Sequence, residues 1–192
     1  MPHPGRIRFL PLLFILPLIA VPAMAGDDHR DGNHFHARLI GYQEVPAVST
    51  QASGEFHADI SPDQQSISWT LTYSGLQADA TQSHIHFGQR SVNGGIVIWL
   101  CQTASTAANN TGPTAHTCGA RSDSFSGTAT SDNVVAITGA NAPQQIAAHE
   151  LAEVIAAIRA GVAYANVHTT VSPGGEIRGQ IRRGGESDHD RR

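Results

Sequence analysis

Apolar and polar side chains alternate along eight short segments of this chain. The clearest is the segment 66–73, in which Ile67, Trp69, Leu71 and Tyr73 occupy every second position and Ser or Thr fills the others. Because successive side chains of a strand point to opposite faces, this alternation predicts strands with one buried face. The predicted strands span 35–42, 54–60, 66–73, 83–87, 95–101, 124–130, 162–168 and 176–181.

Turn-forming residues separate several of these segments. They include Ser-Pro-Asp at 61–63, Asn-Gly-Gly at 93–95 and Ser-Pro-Gly-Gly at 172–175. Proline and glycine favour tight turns because one fixes the backbone and the other tolerates unusual conformations. Eight short strands with one buried face therefore predict an all-β fold, either a sandwich or a flattened barrel.

One segment follows a helical period instead. Between residues 144 and 160 the apolar side chains recur at intervals of three and four, which places them on one side of a helix. Pro143 suits a first helical turn, and Gly161 suits the position just after a last one. We expect one amphipathic helix over 144–160 that covers an open end of the sandwich.

The N-terminal 25 residues have the pattern of a secretory signal peptide. Arg6 and Arg8 precede an apolar run at 9–21, and the small residues Ala23 and Ala25 match the positions that a signal peptidase recognises. A membrane anchor is the alternative, but the run is short and contains prolines. We predict cleavage after Ala25, no later transmembrane segment, and a secreted or periplasmic protein.

Two segments that flank the predicted strands are polar, charged and nearly free of apolar side chains. They are 26–34 after the signal peptide and 183–192 at the C-terminus. Such segments bury too little apolar surface to offset the entropy lost on ordering. We expect both to be disordered, with a single folded domain at 35–182.

The charged residues exclude several classes of function. The chain has 12 basic residues, all of them arginine, against 16 acidic residues, for a formal charge of −4. Without lysine, neither a Schiff-base enzyme nor a P-loop nucleotide site is available. Nucleic acid is not an expected partner, because binding to phosphate depends on clustered positive charge.

The chain contains two cysteines, Cys101 and Cys118, both in the predicted folded domain. In an exported protein such a pair is expected to form a disulfide. A pair of metal thiolates is the alternative, but a Cys-x-x-Cys spacing is absent and no histidine pair is adjacent. We predict the disulfide Cys101–Cys118.

The histidines supply the candidate chemistry. His84 and His86 are two residues apart on a predicted strand, so both project to one face, about 7 Å apart along the strand. Two imidazoles on one face can ligate the same ion, and His168 at the end of another predicted strand offers a third. The pattern predicts a copper or zinc site. The alternative is that the three histidines only hydrogen-bond to backbone groups.

Four sequence motifs occur in an order that resembles one known family. They are Gly-Tyr-Gln-Glu-Val-Pro at 41–46, His-Ile-His-Phe-Gly at 84–88, Tyr-Ala-Asn-Val-His-Thr at 164–169 and Ser-Pro-Gly-Gly-Glu-Ile-Arg-Gly-Gln at 172–180. Together they are similar to successive signatures of the CHRD domain, over about residues 37–182. That domain is named after chordin, an extracellular antagonist of bone morphogenetic proteins, and it also occurs singly in exported bacterial proteins. Ala47 departs from a second proline often found there.

The resemblance implies an immunoglobulin-like β-sandwich or barrel with limited similarity to copper/zinc superoxide dismutase, and no settled activity. The His84–His86 pair resembles the His-x-His strand of that dismutase. However, residues 93–123 offer only His116 and Asp123 toward a second metal, so a dismutase site is not supported. Both Glu176 and Arg178 occur in the family, and we expect Arg178 to form a structural ion pair with Glu44.

Two functions from different classes follow. The first is a non-catalytic exported module that binds a protein or matrix partner, which rests on the resemblance to chordin. The second is a periplasmic copper- or zinc-binding protein, which rests on the histidine spacing. Redox activity is the further function that such a site could support. No nucleophile elbow is present, which favours a function without catalysis over an enzyme.

Overall fold

The computed structural model describes Met1, residues 32–104 and residues 116–185. The predicted signal peptide and most of the segment between the two cysteines lie outside the described residues. In the described ranges no helix is long and apolar enough to span a membrane. The elements are β1 (His34–Ile40), β2 (Ser53–Ile60), β3 (Ile67–Ser74), β4 (Ala80–Phe87), β5 (Gly95–Gln102), β6 (His116–Thr117), β7 (Asp123–Ala129), α1 (Leu151–Arg159), β8 (Ala163–Thr169), β9 (Ile177–Gln180) and β10 (Arg182–Arg183).

The strands form one curved sheet in the order β6-β5-β4-β8-β9-β1-β2-β3-β7, and β10 pairs with β1. All strand pairs are antiparallel except β5 with β6. The two ends of the sheet meet, since His116 on β6 stacks on Phe125 of β7 with ring centroids 4.2 Å apart. The sheet is therefore a nearly closed barrel, and the predicted all-β class is confirmed.

The barrel interior is built from the alternating positions. Along β3, Ile67, Trp69, Leu71 and Tyr73 are buried while the intervening side chains are exposed. β2 alternates in the same way, and Phe56 is among its inward side chains. Each fully buried side chain of this size contributes roughly 1.5–3 kcal/mol through the apolar surface it removes from water. The pattern that predicted the strands thus also forms the core.

The predicted helix is shorter than expected. α1 begins at Leu151, whereas residues 139–144, including Pro143, form a 3₁₀ helix. Between the two, Gln145 and His149 have positive φ angles of 62° and 70°, which an α-helix cannot accommodate. The prediction of a helix from 144 to 150 is therefore wrong. Its end is right, because Gly161 follows α1 with φ of 69°.

The limits of the eight predicted strands agree with the structure to within three residues. β4 begins earliest relative to expectation, at Ala80. The structure also contains the two-residue strands β6 and β10, which the pattern did not indicate. His34 and Arg183 belong to β1 and β10, although both fall in segments that we expect from the sequence to be disordered.

The predicted disulfide is present. Cys101 on β5 is bonded to Cys118, which directly follows β6, and their Cα atoms lie 5.3 Å apart. The bond connects the edge of the sheet to β5 across a separation of 17 residues. It therefore fixes the end of the barrel where β5 and β6 run parallel.

Candidate metal centre

The candidate centre lies on β4 and β8, on the face of the sheet opposite the core. In the β4–β8 pair, Ile85 is opposite Ala165, and all of the surface of both residues is buried inside the barrel. His84 and His86 flank Ile85 and therefore point to the other face, as the spacing predicted. His168 lies on β8 opposite Gln82, in the same row of outward positions.

Loops cover this outward face and bury it. Asn93 donates a 2.9 Å hydrogen bond to the carbonyl of Val45, which joins the loop after β4 to the loop after β1. Gly94, at the end of the same loop, contacts His86. One face of β8 packs on the core and the other lies beneath these loops. Every residue of β8 is therefore buried.

The three histidines converge. His84 is 0% exposed and His86 and His168 are each 7% exposed. Their ring centroids lie 5.0 Å apart for His84–His168, 5.2 Å for His84–His86 and 6.5 Å for His86–His168. One nitrogen from each ring falls within 4.8 Å of the others. In the described part of the chain, this is the only group of three or more histidine, cysteine or carboxylate side chains close enough to share an ion.

Hydrogen bonds orient two of the rings. Nδ1 of His86 lies 2.9 Å from the carbonyl oxygen of Gly94, and Nδ1 of His168 lies 2.9 Å from that of Pro173. A carbonyl only accepts, so each Nδ1 carries the proton and each Nε2 carries a lone pair. Both Nε2 atoms, and both ring nitrogens of His84, are buried without a hydrogen-bond partner among the described residues.

Burial keeps these imidazoles neutral. It is the largest cause that lowers the pKa of His84 well below its ordinary value, and the neighbouring His168 and His86 lower it further. Burial also lowers the pKa of His86, to about 3, and that of His168, against the opposing effect of their carbonyl partners. Neutral imidazole is the form that ligates a metal ion.

An aromatic and cationic stack supports His86. The Tyr164 ring is parallel to His86 with centroids 4.6 Å apart, and the guanidinium of Arg178 lies 3.4 Å from the Tyr164 centroid. Arg178 also donates to Asn93 Oδ1 and to the carbonyl oxygens of Gln89 and Val92. Arg178 thus holds the loop that presents Gly94 to His86.

The predicted ion pair between Glu44 and Arg178 is not a direct contact. The hydrogen bonds of Arg178 go to the loop after β4, and Glu44 Oε1 is buried without a partner among the described residues. Burial raises the pKa of Glu44 to about 7, and the charge of Arg178 opposes that shift. The two groups therefore interact electrostatically at longer range, without forming a hydrogen-bonded clamp.

A match to a known family covers most of the chain. The model of the CHRD domain matches residues 35–181, which include every strand that carries a histidine of the centre. The chain belongs to the CHRD domain family. No curated protein and no solved structure shows a significant match to it. The resemblance drawn from the four motifs is confirmed, and membership of the family supports a small binding module.

Sequence reasoning missed three residues of this CHRD site. Tyr164 stacks on His86, Trp99 meets His84 edge to face at 4.3 Å, and Asn166 lies directly opposite His84 in the strand register. A signal existed for two of them, since Tyr164 and Asn166 alternate with His168 on β8 and must share its face. The position of Trp99 beside His84 depends on a register shift between β4 and β5, so it could not be predicted from sequence spacing.

A cleft of about 620 Å³ borders the centre at His86. Its lining includes His86, Gly94 and Trp99 together with Asp132 and His149. Of the three histidines of the centre, His86 alone lines this cleft, and its Nε2 is buried.

Proposed function

We propose that this CHRD domain is an exported metal-binding module that holds one Cu(II) or Zn(II) ion with His84, His86 and His168. The main support is that His86 and His168 each donate an Nδ1–H hydrogen bond to a backbone carbonyl. Their Nε2 lone pairs are therefore left unpartnered and close to His84. Hydrogen bonds of this kind orient histidine ligands in metal proteins.

The donor set favours a particular group of ions. Three imidazoles without a thiolate or carboxylate suit copper and zinc, and they exclude the oxygen-rich sites of calcium and magnesium. A fourth position is left for water or another small ligand. Where both ions are present, the Irving–Williams order favours copper.

A purely structural role for the histidines is the competing explanation. It accounts for the Nδ1 bonds of His86 and His168 but leaves four buried ring nitrogens unpartnered among the described residues, two of them on His84. A buried polar group without a partner costs about 1–3 kcal/mol. A bound ion removes that cost at three of the four nitrogens, which is why we favour metal binding.

The export of the protein is part of the proposal. The signal-peptide pattern at 1–25 and the disulfide Cys101–Cys118 both support an oxidising compartment outside the cytoplasm. A protein or matrix partner is the second candidate function, and membership of the CHRD family supports it. Metal binding and partner binding are compatible, because an ion at the centre would stabilise the loops that cover the outward face.

Metal analysis of the purified exported protein tests the proposal. After incubation with Zn(II) or Cu(II) and dialysis against a weak chelator, we expect one equivalent of metal per chain. His84→Gln should lose it, whereas the matched control His57→Gln, which changes an exposed histidine on β2, should retain it. Equal metal content in both variants would refute the proposal, because binding would then occur elsewhere in the chain.

A further inference from the structure

Asn166 lies at the centre of the polar face. In the sheet register it is directly opposite His84 on one side and Arg178 on the other. Directly opposed residues of antiparallel strands have Cβ atoms about 4.5–5.5 Å apart and share a face. Asn166 is 2% exposed, and its Oδ1 has no hydrogen-bond partner among the described residues.

His84 lacks the hydrogen bond to a backbone carbonyl that orients the other two histidines. A backbone carbonyl accepts the Nδ1–H of His86 and of His168, but neither ring nitrogen of His84 has a partner in the described ranges. A neutral imidazole carries one N–H, so if one nitrogen of His84 faces the ion, the other needs an acceptor. The unpartnered oxygen opposite His84 is that of Asn166.

The electrostatics agree with this pairing. Burial is the main cause that lowers the pKa of His84 and of His86, and the Asn166 side chain opposes the shift in both, as an acceptor does. Burial raises the pKa of Glu44, and Asn166 opposes that shift too, as a donor to a carboxylate does. These effects agree with an amide whose oxygen accepts from His84 and whose nitrogen donates to Glu44, and Glu44 Oε1 is a buried acceptor without a partner among the described residues.

We infer that Asn166 is the positioning residue of the metal centre, accepting the N–H of His84 at Oδ1 and donating from Nδ2 to Glu44. The carboxylate fixes the amide, the amide fixes the tautomer and orientation of His84, and His84 ligates the ion. The effect on metal affinity rests on the proposed function. The effect on the tautomer of His84 does not, because it exists in the metal-free protein.

The variant Asn166→Leu removes the acceptor while keeping a side chain of similar size. Loss of such an outer partner typically lowers metal affinity by about 10–100-fold, and we expect this loss in Zn(II) titrations of the full chain. In metal-free protein, NMR of ¹⁵N-labelled histidine should show a protected N–H on His84 in the wild type and its loss in Asn166→Leu. The signals of His86 and His168 should keep their Nδ1–H form in both.

A control and a rescue separate positioning from general damage. Gln180→Leu removes another buried amide, on β9, whose Nε2 donates to three backbone carbonyls. We expect it to lower stability and leave the N–H of His84 in place. The double variant Glu44→Gln/Asn166→Asp reverses the donor and acceptor between the two side chains and keeps an acceptor for His84. It should restore the His84 signal and bring Zn(II) affinity back to within a few-fold of wild type.

The outcomes are distinct. If the wild type binds Zn(II) and Asn166→Leu binds it equally well with an unchanged His84 signal, the inference is wrong. If Asn166→Leu does not fold, a folded double variant that lacks the protected N–H overturns the inference. If the wild type binds no metal while the His84 signal still depends on Asn166, the proposed function fails and the positioning of His84 by Asn166 stands.

Discussion

Acidification should destabilise the domain through its buried histidines. Burial lowers the pKa of His86 to about 3 in the folded protein, whereas the unfolded chain has a value near the ordinary 6.5. As the pH falls below 6.5, His86 binds a proton in the unfolded state but stays neutral in the folded state. The contribution of His86 to stability is therefore complete above 6.5 and is lost progressively as the pH falls toward 3. His84 and His168 have lowered pKa values for the same reason and act with the same sign.

The size of the effect follows from the shift. Each pH unit below 6.5 removes about 1.4 kcal/mol per neutral histidine, so His86 accounts for about 2 kcal/mol between pH 7.5 and 5.0. Glu44 acts in the opposite direction, because its pKa is raised to about 7 and the folded state takes up its proton first. It adds about 2 kcal/mol of stability over the same interval, so the wild-type curve alone mixes the two contributions.

A comparison of variants isolates His86. We would measure the free energy of unfolding in urea by circular dichroism at pH 7.5 and 5.0, with a chelator present and the disulfide intact. The variant His86→Gln should lose about 2 kcal/mol less than wild type on acidification. The matched control His57→Gln, exposed on β2, should follow the wild type. If His86→Gln and wild type lose the same amount, His86 is not held neutral by burial and the electrostatic description of the centre is wrong.

Three further predictions concern the ion, the disulfide and Arg178. Zn(II) at 100 times its dissociation constant should add about 2.7 kcal/mol to the free energy of unfolding, measured against a chelator control, and no change would argue against a site in the folded state. The double variant Cys101→Ala/Cys118→Ala should lose about 3 kcal/mol by urea unfolding; an unchanged midpoint would contradict a structural role for the bond. Arg178→Lys should weaken Zn(II) binding in calorimetric titrations, since a compact ammonium lacks the planar fork that stacks on Tyr164 and reaches the three separate acceptors of the loop. Wild-type affinity in Arg178→Lys would show that the loop needs no guanidinium.

The strands were largely predictable because burial on one face imposes a period of two. In β2 and β3 the buried positions are those that the alternation marks. The two-residue strands β6 and β10 are too short to carry any period and could not be found in this way. The helix was overextended because its apolar spacing continues back through Ala147, and spacing alone does not reveal the positive φ angles at Gln145 and His149.

The start of α1 is determined by contacts that sequence cannot show. The Gln144 side chain donates to the carbonyl of Phe87 and accepts from the amide of Gly95, each at 2.7 Å. These bonds hold the preceding 3₁₀ helix against the ends of β4 and β5. The chain then passes through the positive φ angles of Gln145 and His149 before Leu151, so the α-helix is shorter than the apolar spacing predicts.

The candidate site was predictable only in part, for a similar reason. The shared face of His84 and His86 follows from their spacing, which is a local property of one strand. The acceptors for His86 and His168 are the carbonyls of Gly94 and Pro173, which any residue could supply, so the residue types carry no signal. The place of Asn166 depends on the register between β4 and β8, and the separation of Glu44 from Arg178 depends on loop geometry.

In the proposed metal centre, His84, His86 and His168 ligate one ion, and His86 and His168 bind it through Nε2. NMR of the ¹⁵N-histidine-labelled, Zn(II)-loaded full chain observes this directly, because coordination and protonation shift the two ring nitrogens differently. We expect Nε2 of His86, Nε2 of His168 and one ring nitrogen of His84 to shift on addition of one equivalent of zinc. The Nδ1–H signals of His86 and His168 should persist. Coordination through Nδ1 of His86 or His168, or zinc-dependent shifts confined to other histidines, would contradict it.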